Sequence, residues 1–154
     1  YDIAQCLVGS EMCIRDRLAG LKARGYRIGV ISNNASLYNV FNVLEEYGIR
    51  EYMEDVEVSS ITGYRKPHPE IFRISMKQMQ EKPENCVYVG DTLSRDVIGS
   101  KEFGFGKAVY IQSFLSAQKD VGVVSSIQPD VTIQNMDELI PWLDSVNSEM
   151  NSKS

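Results

Sequence analysis

What most constrains this chain is its regular alternation, from Leu18 onward, of short apolar runs with amphipathic stretches, joined by few residues. Strand-like runs alternating with helix-like ones signal an α/β fold on a mainly parallel sheet, because parallel neighbours need a crossover and a helix usually provides it. Arg15 to Arg24 reads as a helix end, with Leu18 and Leu21 on one face and Gly25 as the left-handed stop. Tyr26 to Ile31 predicts a strand apolar enough to be covered on both faces. Ser36 is placed to cap a helix whose Leu37, Val40, Phe41, Leu44 and Tyr47 recur at helical spacing until Gly48.

Further along, Val56 to Val58 predicts a short strand, followed by a loop through Gly63. Pro69 suits a helix start, with Ile71, Phe72, Ser75, Met76 and Met79 on one face. Cys86 to Val89 is expected to be a buried strand, and a helix from about Ser94 to Phe103 ends at Gly104. Ala108 to Ile111 and Val131 to Ile133 are strands, and Asn135 with Glu138 forms a capping box for the last helix. Pro141 should kink that helix or delay its start. The polar tail from Ser145 is expected to fray. Ser113 to Gln128 shows no clear pattern and reads as a loop with at most a short helix.

Composition narrows the partners. A net charge of −5 provides no basic footprint for nucleic acid. No apolar run approaches the ~20 residues that span a bilayer, so no membrane partner is expected. Ile3 to Gly9 is too short, and lacks the basic flank, for a signal-peptide core. Three cysteines without metal-site spacing point to reduced thiols and a cytoplasmic setting.

In parallel α/β sheets ligands sit at the carboxyl ends of strands, where helix N-termini also point. Ser32-Asn33-Asn34, Lys66-Pro67-His68-Pro69 and Gly90-Asp91-Thr92-Leu93-Ser94-Arg95-Asp96 lie at or beside such ends. Each has a local reading and a chemical one. Ser32 either caps a helix or donates to a phosphoryl oxygen beside the Asn33 N–H. Lys66 is either a solvated loop lysine or a fixed ammonium that neutralises phosphoryl charge. Asp91 and Asp96 are either turn and first-turn acids or a hard-oxygen pair for Mg²⁺.

Taken in order, Ile28 to Asn34, Lys66 to Pro69 and Val87 to Asp96 resemble the second, third and fourth motifs of the haloacid dehalogenase-like superfamily, over about Leu18 to Trp142. The resemblance implies a Rossmann-like three-layer α/β/α core with a mainly parallel sheet, and an Mg²⁺-dependent phosphatase acting on a small-molecule phosphate ester. It gives Ser32 and Asn33 the phosphoryl oxygens and Lys66 the neutralising charge, with Asp91 a direct Mg²⁺ ligand and Asp96 a second ligand, direct or through water. His68, the single histidine, falls at a variable loop position. The Lys-Pro-His-Pro form looks most like small-metabolite phosphatases, and the roughly thirty residues between Ser32 and Lys66 leave no room there for a large substrate-selecting cap.

The family's first motif, Asp-x-Asp, supplies a nucleophile that forms an aspartyl-phosphate and a general acid/base; this chain contains no Asp-x-Asp. The central strand that carries that motif is thus expected to be missing or replaced, with Ile3 to Val8 one substitute. Cys6 to Arg17 resembles a translated sequencing adapter, so residues 1–17 are expected to be foreign, 18–144 the family core and 145–154 a polar tail. The expectation is a C-terminal part of such an enzyme, without turnover of its own. The alternative is a non-catalytic module on the same fold. A receiver-type signalling domain fits poorly, because its acids precede its hydroxyl and lysine in sequence.

Overall fold

The computed structural model describes residues 12–112 and 118–153, and side chains from residue 14 onward. The readings for Ile3 to Gly9, and for 113–117 within the patternless stretch, lie outside the described residues. The chain divides into two compact units, one ending at Gly63 and one beginning at Tyr64.

The first unit runs α1 (Met12–Ala23), β1 (Gly29–Ser32), α2 (Asn39–Glu46), a 3-10 turn (Arg50–Tyr52), β2 (Asp55–Val58) and a single helical turn, α3 (Ser59–Thr62). Gly25, at φ +85°, takes the left-handed conformation that closes α1. β1 and β2 pair in parallel from Gly29 opposite Asp55 to Ser32 opposite Val58. Ile14, Leu44 and Ile49 form the buried centre of this unit, with Leu18, Val40, Tyr47, Tyr52, Met53 and Val56 packed on it. The Ser36 hydroxyl accepts from the N–H groups of Tyr38 and Asn39, ahead of a helix that starts only at Asn39. Leu37 therefore precedes the helix and stands exposed, outside the apolar face its spacing suggested. β1 is also less covered than its apolar run implies: Val30 and Ile31 are half-buried and Gly29 is exposed.

The second unit contains α4 (Pro69–Met79), β3 (Val87–Gly90), a π-helical segment (Leu93–Ile98) running into α5 (Gly99–Phe103), β4 (Lys107–Ile111), β5 (Val131–Ile133) and α6 (Leu139–Ser152). His68 caps α4 through a ring nitrogen that accepts from the Glu70 N–H at 3.2 Å, and Pro69 takes the first turn, where no N–H is needed. The five residues on its predicted apolar face, Ile71, Phe72, Ser75, Met76 and Met79, are its buried residues. β3, β4 and β5 pair in parallel in that order, with Tyr88 opposite Ala108 and Tyr110 opposite Thr132. Phe72 stacks on Phe103 and meets Tyr88 and Phe105 edge-on, an aromatic cluster between helix and sheet.

Three expectations change here. Cys86 lies one residue ahead of β3 and is half-buried, because the 3-10 turn Pro83–Asn85 delays the strand. The capping box of Asn135 and Glu138 is present, but it opens a 3-10 turn instead of the helix itself; α6 starts only at Leu139, in line with the delayed start expected from Pro141, which sits in the first turn where it costs no hydrogen bond. The polar tail is helical to Ser152, its serine hydroxyls donating to carbonyls one turn back.

All described strand pairs are parallel, in a two-stranded sheet in the first unit and a three-stranded sheet in the second. No described helix is long and apolar enough to cross a membrane.

Candidate active site

The carboxyl end of β3 gathers the chemistry of the second unit. After Gly90 the chain passes through Asp91 and an extended Thr92 into the π-helical turn, where the N–H groups of Asp96 and Val97 both donate to the Thr92 carbonyl. The wider turn directs the Asp96 side chain back at the strand end. One carboxylate oxygen, Oδ2, accepts from the Thr92 N–H at 3.0 Å and the Thr92 hydroxyl at 2.8 Å. The other, Oδ1, accepts from the Lys66 ammonium at 2.7 Å and, at a long 3.4 Å, from the Tyr88 hydroxyl.

Glycine is required at 90 by this approach. A Cβ there would lie 2.6 Å from Asp96 Oδ2 and closer still to Asp96 Cβ and Cγ. Gly99 serves a second close contact, since a Cβ there would stand 2.9 Å from Pro67 Cβ, in the loop that carries Lys66.

Lys66 and Asp96 form a buried ion pair, their side chains only 12% and 5% exposed. Removing one partner from such a pair strands the other's charge away from water. The ammonium also lies 5.6 Å from the Tyr88 ring centroid, within range of a cation–π attraction. Burial, and after it the Asp96 carboxylate, push the Tyr88 phenol well above its usual pKa. It therefore stays protonated and able to donate.

Asp91 is half-buried, and its Oδ2 lies 3.3 Å from Lys119 Nζ. The neighbouring Asp120 is buried and fastens the chain here, accepting from the Leu93 N–H at 2.9 Å and the Tyr110 hydroxyl at 3.1 Å. Lys119 and Asp120 fall in the stretch without sequence pattern, so periodicity could not single them out. Tyr88 and Thr92 were legible only as strand and turn residues.

Ser32 and Asn33 lie at the carboxyl end of β1, in the first unit, both half-buried. Their loop is laced to α3: the Ser59 hydroxyl accepts from the Asn34 N–H and donates to the Asn34 carbonyl, and the Ser60 hydroxyl donates to the Ser36 carbonyl. Of the residues singled out in sequence, Lys66, Asp91 and Asp96 thus share the second unit, and Lys66 and Asp96 touch.

The residues at β3 fit one side of a divalent-cation site. Asp91 offers a hard carboxylate at a strand end, and Mg²⁺ commonly takes one or two carboxylates and completes its shell with waters and substrate phosphates. Asp96 is less open, because four donors already engage its two oxygens. Among the described residues no group of three or more His, Cys, Asp or Glu could hold an ion by itself.

Parallel strands with an acid and an anchored ammonium at their carboxyl ends define a Rossmann-like α/β protein equipped to handle anions. The chain belongs to the haloacid dehalogenase-like hydrolases, whose family model matches residues 13–104. That match begins inside the Cys6 to Arg17 segment that reads as foreign. A glyceraldehyde 3-phosphate phosphatase from Methanothermobacter thermautotrophicus is 32% identical over 67% of this chain and 45% of its own. The haloacid dehalogenase-like hydrolase domain-containing protein 3 of Bos taurus is 31% identical over 91% of this chain and 52% of its own. Among solved structures, the HAD phosphatase from Thermococcus onnurineus superposes with a TM-score of 0.68 at 28% identity, over 82% of this chain and 54% of that one. The chain spans about half the length of these relatives.

Proposed function

We propose that this chain carries the phosphate-handling half of an Mg²⁺-dependent phosphatase for a small phosphorylated metabolite, and that the nucleophile belongs to a part of the enzyme outside these 154 residues. The observation that carries the reading is the buried Lys66–Asp96 pair at the end of β3, reinforced by Thr92. Lys66 brings a positive charge to the strand end at a fixed position, and Asp96 holds it there, so little reorganisation is needed when a phosphoryl group arrives. Ser32 and the Asn33 N–H donate to phosphoryl oxygens. Asp91 is the metal ligand, and Asp96, its oxygens engaged by protein donors, acts on the ion through water. The bound ion would supply charge neutralisation on the phosphoryl oxygens.

The complete enzyme works through an aspartyl-phosphate, for which this chain has no Asp-x-Asp. Groups that act as one catalytic unit lose most of the rate when one is absent. In this reading the family core runs to residue 144.

Purified chain with p-nitrophenyl phosphate and Mg²⁺ should show no turnover above buffer. It should still bind inorganic phosphate, and Lys66→Ala should abolish that binding. Robust turnover would refute the missing nucleophile, and phosphate binding indifferent to Lys66 would refute the site. Binding of phosphate without turnover even when the Asp-x-Asp segment is restored would favour the non-catalytic module instead.

A further inference from the structure

The proposed metal ligand already has a cation beside it. Lys119 Nζ lies 3.3 Å from Asp91 Oδ2, with side-chain exposures of 37% for the lysine and 22% for the aspartate. The residue adjoining Lys119 is fixed. Asp120 is buried, and its two carboxylate oxygens bridge the Leu93 N–H, at the start of the π-helical turn, and the Tyr110 hydroxyl on β4. Leu93 lies two residues after Asp91, so the anchor and the ion pair address the same strand end. The chain is thus fastened one residue after Lys119.

We propose that Lys119 is a built-in counter-ion of Asp91 that competes with a divalent cation for this carboxylate, so that metal binding and release of the lysine are one coupled event. The inference rests on the reading of Asp91 as metal ligand. A carboxylate oxygen turned to an ammonium is a poorer ligand for Mg²⁺, and a metal ion drawn to that oxygen repels the ammonium. By linkage each event opposes the other by the same factor. The released ammonium, still held near the strand end by Asp120, is then placed to meet a second anionic group on the phosphate ester. Asp120 is a positioning residue in this scheme, acting through Lys119.

The test uses the whole chain and Mn²⁺, counted by electron paramagnetic resonance as free and bound ion. Lys119→Gln should bind Mn²⁺ about three- to fivefold more tightly than the unmodified chain, the worth of a partly exposed ion pair. Lys119→Arg, which keeps the charge, should bind as the unmodified chain does, and the gain in Lys119→Gln should shrink at high salt. Acylation of the Lys119 amine should speed up on adding Mn²⁺. Equal or weaker Mn²⁺ binding by Lys119→Gln, with binding still lost in Asp91→Asn, overturns the competition and leaves Asp91 as the ligand. Mn²⁺ binding that survives Asp91→Asn, or that is undetectable in both the unmodified chain and Lys119→Gln, overturns both readings.

Discussion

Replacing Asp96 by asparagine removes one charge and almost no volume, so its effect isolates the electrostatics of the site. In the native site both carboxylate oxygens accept, one from Thr92 twice and the other from Lys66 and Tyr88. An asparagine can present its oxygen to only one of these groups, and its NH₂ then faces donors on the other side. Lys66, with a side chain only 12% exposed, would also lose its counter-charge. Breaking a buried pair from one side costs about 3–5 kcal/mol. For a chain of this size that corresponds to a fall in melting temperature of roughly 6–20 °C, at about 2–4 °C per kcal/mol. The single tryptophan, Trp142, lies on α6 in the unit that contains the site, so its fluorescence follows the unfolding of that unit. The double variant Asp96→Asn/Lys66→Met should be less destabilised than the sum of its parts, with a coupling on the order of 1–3 kcal/mol. A melting temperature for Asp96→Asn within about 2 °C of the unmodified chain would show that the pair is not held as described.

Three further outcomes follow from single positions. Gly90→Ala pushes a methyl group into the Asp96 carboxyl and should cost about 1–3 kcal/mol, read as a lower urea midpoint; an unchanged midpoint would refute the close approach. Phe72→Ala empties the centre of the aromatic cluster and should cost about 3–5 kcal/mol by the same measurement, whereas a loss under about 1 kcal/mol would mean that the cluster is not packed. Glu57 is raised from 4.5 to about 7, first by burial and then by its hydrogen bond to Asp55 and that residue's charge. A carboxyl raised in the folded state binds more protons folded than unfolded, so its contribution to stability is present below about pH 4.5 and is lost as pH rises to about 7. The shift corresponds to about 3 kcal/mol, which solvent access to the side chain reduces to on the order of 1 kcal/mol. Glu57→Gln should therefore gain about that much on the unmodified chain between about pH 5 and about pH 8; parallel pH profiles of the urea midpoint would refute the assignment.

Much of the fold was legible in the chain alone because its signals are local. The buried face of α4, the left-handed stop at Gly25 and the capping box at Asn135 each follow from residues within a few positions of one another. One departure was also local in cause: the 3-10 turn Pro83–Asn85 moved Cys86 out of β3. Lys66, Asp91 and Asp96 stood out by type and position at strand ends. Their partners did not.

The sequence by itself determined the α/β alternation, the kinds of residue at the strand ends and the motif order that resembles the haloacid dehalogenase-like family. Tertiary structure alone decided that Asp96 spends its two oxygens on Lys66, Tyr88 and Thr92, that Gly90 must lack a side chain, and that Lys119 faces Asp91. The physical reason is range. Helix caps and apolar periodicity arise from contacts a few residues apart, which a linear pattern records. An ion pair between residues thirty positions apart depends on where a turn returns the chain, and no local pattern records that.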